Sequence, residues 1–425
     1  MSFDTVDLLT GNVFQVTWDL GRRCNYDCSY CPVTRHDNFS PHATLDELKA
    51  NTDFLYEYID TYMQHRQFKR TSIGFTGGEP TVNPNFIPFM QYLKSEYETR
   101  YQSRWSANFA LTSNGAMGQK MAQKVMENFA HITVSYHAES NEKLKKQVRD
   151  RILQFHKDGP ATKTTMSINV MFHAEHFDEC KELCEWLDEQ GIKYVPRVIG
   201  EEPDSRESFA HVYNDEQLDY MKNFWKNKNA KLNNEKETTS RLSAVGKPKQ
   251  EQLKQQQVDE ELRNKKDGNT LEAIEAKNKQ REEAKKKESA NQGYKVGRPC
   301  CGSREMCLSN KGQSRNATFV DMREFKGWHC SVNWFFLHLE QQTDQVFHHQ
   351  TCQARFDGTR GPIGKISEGK KIVADLVKKL ETNSMPTIVC PKHTCGCGLC
   401  APKSKFEKNY KDVMEKHLIR PEILV

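Results

Sequence analysis

The chain has 425 residues, with 28% charged and 10% aromatic side chains and a mean hydropathy of −0.82, which fits two or three globular domains and at least one very polar segment. No window approaches the roughly 18 apolar residues of a membrane span, and the first residues, MSFDTVDLLTGNVFQ, carry no signal-peptide pattern, so a cytoplasmic location and no membrane partner are expected. A formal net charge of +5 is small for this length and gives little support to a nucleic-acid partner.

From residue 15 to residue 227, short apolar runs alternate with longer amphipathic ones. Strands are expected at 15–20 (QVTWDL), 72–76 (SIGFT), 108–112 (NFALT), 131–135 (HITVS), 165–171 (TMSINVM) and 193–198 (KYVPRV). Helices are expected near 44–66, 85–100, 117–128, 140–157 and 175–190. Strands alternating with helices of this length imply βαβ crossovers and a parallel sheet. The fold class is therefore α/β, a partial (β/α)6 TIM-like barrel occupying residues 1–225. Residues 226–293 contain no aromatic residue, Cys or His and are dominated by Lys, Glu, Gln and Asn, which predicts a charged mobile or helical insertion without a core. Residues 294–425 hold an aromatic-rich strand pair with a turn near QQTDQ, a helix near 367–382 and a cysteine-dense tail. They read as a small Cys-rich C-terminal β-hairpin/helix extension.

The 14 cysteines cluster, and without an export signal they point to metal rather than disulfides. Cys24, Cys28 and Cys31 lie in RRCNYDCSYCP, on a loop after the first strand. Each iron of a cubane [4Fe–4S] cluster needs one ligand besides sulfide, so three thiolates leave one iron open. A closed structural zinc site wants four protein ligands and fits this trio less well. Tyr30 precedes the last cysteine, where its ring can shield a cluster. After the second strand comes FTGGEPTVNP, in which Gly77 and Gly78 allow close approach to the backbone, Glu79 offers a carboxylate and Pro80 stiffens the turn. Ligands of parallel α/β folds collect at the C-terminal ends of strands, where both motifs fall.

Together these motifs resemble the radical S-adenosylmethionine (radical SAM) superfamily, over roughly residues 12–200. The resemblance implies that Cys24, Cys28 and Cys31 hold the catalytic cluster and that SAM chelates its open iron. Gly77, Gly78, Glu79 and Pro80 match the methionine-binding motif, and Ser113 and Asn114 in LTSNGAMG match a frequent SAM-contacting Ser-Asn-Gly. Ser135 and His137, at the end of the fourth strand, and Asn169 on the fifth are candidates for SAM or substrate contacts. The alternative for these three is that they merely cap the following helices. The implied chemistry is one-electron reduction of the cluster, by a donor such as flavodoxin or ferredoxin, and cleavage of SAM to methionine and a hydrogen-abstracting 5′-deoxyadenosyl radical.

Cys330 and Cys352 flank the expected hairpin, and the tail CPKHTCGCGLCAPK adds Cys390, Cys395, Cys397 and Cys400. This arrangement resembles a SPASM or shorter twitch extension carrying an auxiliary [4Fe–4S] cluster. The hairpin lacks the usual turn glycine and the seven-cysteine SPASM pattern does not align, so one auxiliary cluster is expected, with Cys330, Cys352, Cys395 and Cys400 as favoured ligands. A zinc knuckle with Cys397, Cys400 and His393 is the competing reading. Cys300, Cys301 and Cys307 have no assigned role, and Cys180 and Cys184 read as core thiols. The expected substrate is a peptide or protein side chain, with the whole enzyme of oxidoreductase type. The alternatives are a small sugar, polyol or nucleotide on the same scaffold, or a non-catalytic iron–sulfur redox protein. The absence of a peptide-recognition domain before the first strand weighs against the peptide.

Overall fold

A computed structural model describes residues 5–6, 13–31, 36–66, 69–199, most of 213–224, 326–330, 332–348, 361–382, 388–390 and 403–404. The 226–293 insertion, Cys300, Cys301, Cys307, Cys352, His393, Cys395, Cys397 and Cys400 lie outside the described residues. The elements in chain order begin with β1 (Thr5–Val6), β2 (Phe14–Asp19), α1 (Leu45–Gln64), β3 (Arg70–Thr76), α2 (Phe86–Glu96), β4 (Ser106–Ser113) and α3 (Gln119–Asn128). They continue with β5 (His131–His137), α4 (Glu142–Thr162), β6 (Thr165–Phe172), α5 (Phe177–Glu189) and β7 (Tyr194–Val198).

The strands β2 to β7 pair in parallel and in sequence order, each joined to the next by a helix. The sheet is open, so this is a partial barrel, as the alternating pattern predicts. Side chains on the strands follow the two-residue period of a pleated sheet. In β2, Phe14, Val16 and Trp18 are buried under the helices while Gln15, Thr17 and Asp19 stay half-exposed on the other face. In β5 the half-exposed set is His131, Thr133, Ser135 and His137. The inner face of the open barrel is accordingly polar.

Helix α1 starts where the sequence places it, on a capping box: Glu47 N donates to Thr44 Oγ1 at 3.3 Å and Thr44 N donates to Glu47 Oε2 at 2.7 Å. Helix α4 runs on to Thr162, past the expected end at 157, taking Gly159 and Pro160 into its last turn. The following chain is pinned back by Thr164, whose hydroxyl donates to the carbonyls of Met126 and Phe129 at 2.8 and 2.9 Å. Trp18, fully buried, packs edge-on to Phe89 and against Phe75, with ring centroids 5.2 and 5.9 Å away. Trp18→Ala is expected to cost about 3–5 kcal/mol, the range for truncating a buried aromatic, measured by urea unfolding.

The C-terminal part adds β8 (His329–Cys330), the short helix α6 (Val332–Phe335), β9 (Phe336–Glu340), β10 (Gln345–Phe347), β11 (Gly364–Lys365), α7 (Gly369–Glu381), β12 (Ile388–Val389) and β13 (Lys403–Ser404). The strand pair forms as expected, with its turn at Gln341–Asp344 closed by Asp344 in the left-handed region (φ +55°). It does not stand apart from the barrel. Strand β9 pairs in parallel with β2, from Gln15 opposite Phe336 to Asp19 opposite Glu340, and β10 and β11 continue the sheet antiparallel. Gln341 Oε1 accepts from Asn51 Nδ2 on α1 at 2.8 Å and from Trp18 Nε1 at 3.3 Å. Helix α7 lies against α1 closely enough that a Cβ at Gly369 would come within 2.6 Å of the Phe54 ring.

A second, four-stranded sheet has the order β1-β13-β8-β12. The chain divides into two units, Met1–Val212 with Val296–Val425, and Tyr213–Lys295, and all the labelled elements lie in the first. No described helix is long and apolar enough to cross a membrane.

Candidate active site

The C-terminal ends of β2 and β3 meet through two loops that need glycine. Gly77 has φ +139°, and a Cβ on it would come within 2.5 Å of the Gly21 carbonyl oxygen. A Cβ on Gly78 would lie 2.1 Å from the carbonyl oxygen of Arg22 and 2.5 Å from that of Arg23. In the structure the chain's own segment 21–23 makes the close approach that the sequence assigned to a ligand. The backbones are laced together: Leu20 N donates to Thr76 O at 2.9 Å, Gly78 N to Gly21 O at 2.8 Å and Glu79 N to Arg23 O at 2.9 Å.

Glu79 is buried and acts as the hub of this corner. Its Oε1 accepts from Thr81 N (3.0 Å), Thr81 Oγ1 (2.6 Å) and Ser113 Oγ (2.9 Å), and its Oε2 accepts from Asn114 N (2.6 Å). Burial pushes its carboxyl up, while the four donors pull back toward the ionised form. Ser113 Oγ also accepts from Gly115 N at 3.0 Å, and Asn114 Nδ2 donates to Asn25 Oδ1 at 2.7 Å and lies 3.8 Å from Cys24 Sγ. Glu79, Ser113 and Asn114 are thus brought together, bonded to one another, to Thr81, Gly115 and Ala116 beside them, and to Asn25 of the cysteine loop.

The loop itself is closed at its base, where Cys24 N donates to Asp37 O at 2.8 Å and Asp37 N to Arg22 O at 2.9 Å. Asp37 in turn accepts from Phe39 N and Ser40 N at 3.1 and 2.7 Å. Cys31 N donates to Cys28 O at 3.0 Å, which folds the second half of the motif into a tight turn. All three cysteines are thiols; Cys28 is buried, and Cys24 and Cys31 are half-exposed. Burial pushes the Cys24 and Cys28 thiols up, and Glu139 adds to the effect on Cys28.

Three rings wall the loop. His137 stacks on Tyr30 (centroids 5.9 Å apart, 17° between planes) and meets Tyr26 edge-on at 5.5 Å. Its Nδ1 is hydrogen-bonded to Tyr30 Oη and lies 3.4 Å from Cys28 Sγ. Desolvation pushes the His137 imidazole down to about 4, so it is neutral at physiological pH. His137 therefore belongs to the cysteine loop's surroundings, with the Tyr30 ring stacked on it. Ser135 and Asn169 are register partners on β5 and β6, on the half-exposed face. Asn169 Oδ1 accepts from Arg197 Nε at 3.0 Å.

Several members of the site carry no motif in the sequence. Asn25 and Asp37 fix the loop by side-chain and backbone bonds, and Glu139 and His173 reach it from the ends of β5 and β6. The readable signal was a repeat: the chain leaves both strands through His-Ala-Glu, at 137–139 and at 173–175.

Among the described residues, no group of three or more His, Cys, Asp or Glu is placed to hold one metal ion. A cubane makes no such demand, because each thiolate binds a different iron. Three reduced thiols on one short loop, walled by rings and braced by the Gly77–Glu79 turn, fit that group. Of the expected auxiliary ligands, Cys330 and Cys390 are described, and both are buried. Cys330 sits on β8 between Ile388 of β12 and Lys403 of β13, and Cys390 is bonded to the same strand's approach through Cys390 N to Trp328 O and Gly327 N to Cys390 O, both 2.8 Å.

The structure is an open parallel α/β sheet with the three-thiol loop and the Gly77–Glu79 turn together at its C-terminal strand ends. Residues 18–195 match the family model of the Radical SAM superfamily. Among solved structures the chain is similar to native anSMEcpe with bound AdoMet and Kp18Cys peptide, at 13% identity and a TM-score of 0.45, over 95% of this chain and 96% of that one. It is also similar to native anSMEcpe with bound AdoMet, at 15% identity and a TM-score of 0.34. That alignment covers 46% of this chain and spans about half, 55%, of the other. No curated protein matches the chain.

Proposed function

We propose that the chain is a radical SAM enzyme of oxidoreductase type that acts on a peptide or protein side chain. One observation carries the reading: Cys24, Cys28 and Cys31 lie on a loop braced directly by the Gly-Gly-Glu turn of the next strand, inside the segment that matches the family. When bound, a [4Fe–4S] cluster with one open iron and its SAM supply reductive SAM cleavage and hydrogen abstraction. The chain's own parts would then work as follows. Cys24, Cys28 and Cys31 hold three irons. The Gly77–Pro80 turn and Ser113–Asn114 shape the wall beside the fourth, and Tyr26, Tyr30 and His137 keep water from the loop. The half-exposed face with Ser135 and Asn169 is where substrate and SAM would be contacted. Four of the six C-terminal cysteines would hold an auxiliary cluster, with Cys330, Cys352, Cys395 and Cys400 favoured over Cys390 and Cys397, and a flavodoxin or ferredoxin would supply electrons.

A small polar metabolite is the second reading, favoured by the hydroxyl-rich inner face. There Thr133 Oγ1 and Ser167 Oγ are 3.3 Å apart, and His131 Nε2 lies 3.2 Å from Ser167 Oγ. Deuterated candidate peptides and deuterated polyols or nucleosides separate the two. Deuterium should appear in 5′-deoxyadenosine with the peptide set; its appearance only with the small molecules overturns the peptide assignment.

A further inference from the structure

Two consecutive strands deliver the same tripeptide to the cysteine loop, and the second copy meets the first. Continuing the β5–β6 register beyond Ser135 opposite Asn169 brings Glu139 level with His173, and His173 Nε2 is indeed 3.3 Å from Glu139 Oε2. The other contacts of Glu139 cross to the loop: Ser29 N donates to Oε1 at 2.8 Å and Ser29 Oγ to Oε2 at 2.7 Å. Ser29 lies between Cys28 and Cys31. The carboxylate is mostly shielded, with its side chain 16% exposed and that of His173 only 6% exposed.

We propose that Glu139 is a positioning residue that latches the cysteine loop to the ends of β5 and β6 and, through its charge, holds the loop's iron–sulfur cluster at a lower potential. The inference rests on the radical SAM reading. Two bonds from one carboxylate to the main chain and side chain of the same residue fix where the Cys28–Cys31 turn can sit. They also engage a backbone N–H that could otherwise point at cluster sulfur, and N–H···S bonds raise cluster potentials. A negative charge in a shielded site opposes the arrival of an electron more strongly than one in water. His173 anchors the carboxylate from behind, so Glu139 cannot swing out with the loop.

The test uses full-length protein reconstituted anaerobically with iron and sulfide, with bound iron counted and the potential read by EPR-monitored titration. Glu139→Gln keeps an acceptor for Ser29 and removes the charge, so iron content should stay near wild type while the potential rises. Glu139→Ala loses the latch, and iron retention during gel filtration should fall roughly 10-fold or more, the scale for outer-shell partners of metal ligands. Circular dichroism of the apoproteins separates loss of the latch from loss of the fold. If Glu139→Ala does not fold, the potential of Glu139→Gln decides. An unchanged potential in Glu139→Gln overturns the proposal, because a merely structural carboxylate would leave that value alone. A wild-type protein that binds no cluster would overturn the radical SAM reading itself, a distinguishable failure.

Discussion

Cys28→Ala protein, reconstituted anaerobically and reduced in the presence of SAM, is expected to release no 5′-deoxyadenosine above a protein-free control. Two thiolates hold a cubane poorly, and the lost ligand is the buried one of the three, wedged beside His137 Nδ1 at 3.4 Å. No other described thiol is on hand to replace it. Cys180 and Cys184 sit on α5, with the helix face that packs on the sheet, and both are buried there. Cys180→Ala is the matching control: it removes a core thiol of similar size and should leave iron loading and SAM cleavage intact. The expected difference between these two variants is all or nothing in product, with folded protein in both cases.

Gly78→Ala is expected to be nearly as damaging by a different route. The added methyl group would be placed 2.1 Å from the Arg22 carbonyl oxygen and 2.5 Å from that of Arg23, and both obstacles are backbone. Overpacking against flexible side chains costs about 1–3 kcal/mol; against backbone the clash is relieved only by moving a loop. The loop that must move is the one that leads into Cys24. Iron loading should therefore fall further than thermal stability does, compared side by side on the same preparations. Equal loading by Gly78→Ala and wild type would mean that the turn and the cysteine loop are not mechanically joined.

The strands and helices of the barrel were legible because each obeys a single period. QVTWDL alternates, and β2 buries Phe14, Val16 and Trp18 as alternation requires. The three-cysteine loop and the Gly-Gly-Glu turn were legible as motifs, yet the reason for the glycines was not. Sequence shows that a residue needs little room; it does not show what fills the room, here the carbonyls of segment 21–23. The place of β9 was missed for a topological reason, since nothing local says that residues from the far end of the chain will lie beside β2. One signal was available: Phe336 to Leu339 are all apolar except His338 and all buried, as befits an interior strand rather than one face of an exposed hairpin. The first member of the expected strand pair, GWHCSVNWFFLHLE, is not one strand, because α6 interrupts it before Phe336. Glu139 escaped because a carboxylate just after a strand has many possible partners, and only the fold brings Ser29 to it across more than a hundred residues of chain.

The central claim is that three thiols leave one iron open for SAM, and a single experiment reaches it. Full-length protein, loaded with iron and sulfide under anaerobic conditions, is reduced with dithionite and given SAM, and methionine and 5′-deoxyadenosine are followed together. Equimolar methionine and 5′-deoxyadenosine, dependent on reductant, is the result expected. Stoichiometric iron binding at Cys24, Cys28 and Cys31 with SAM left intact would contradict it, and would make the chain an iron–sulfur protein without this chemistry.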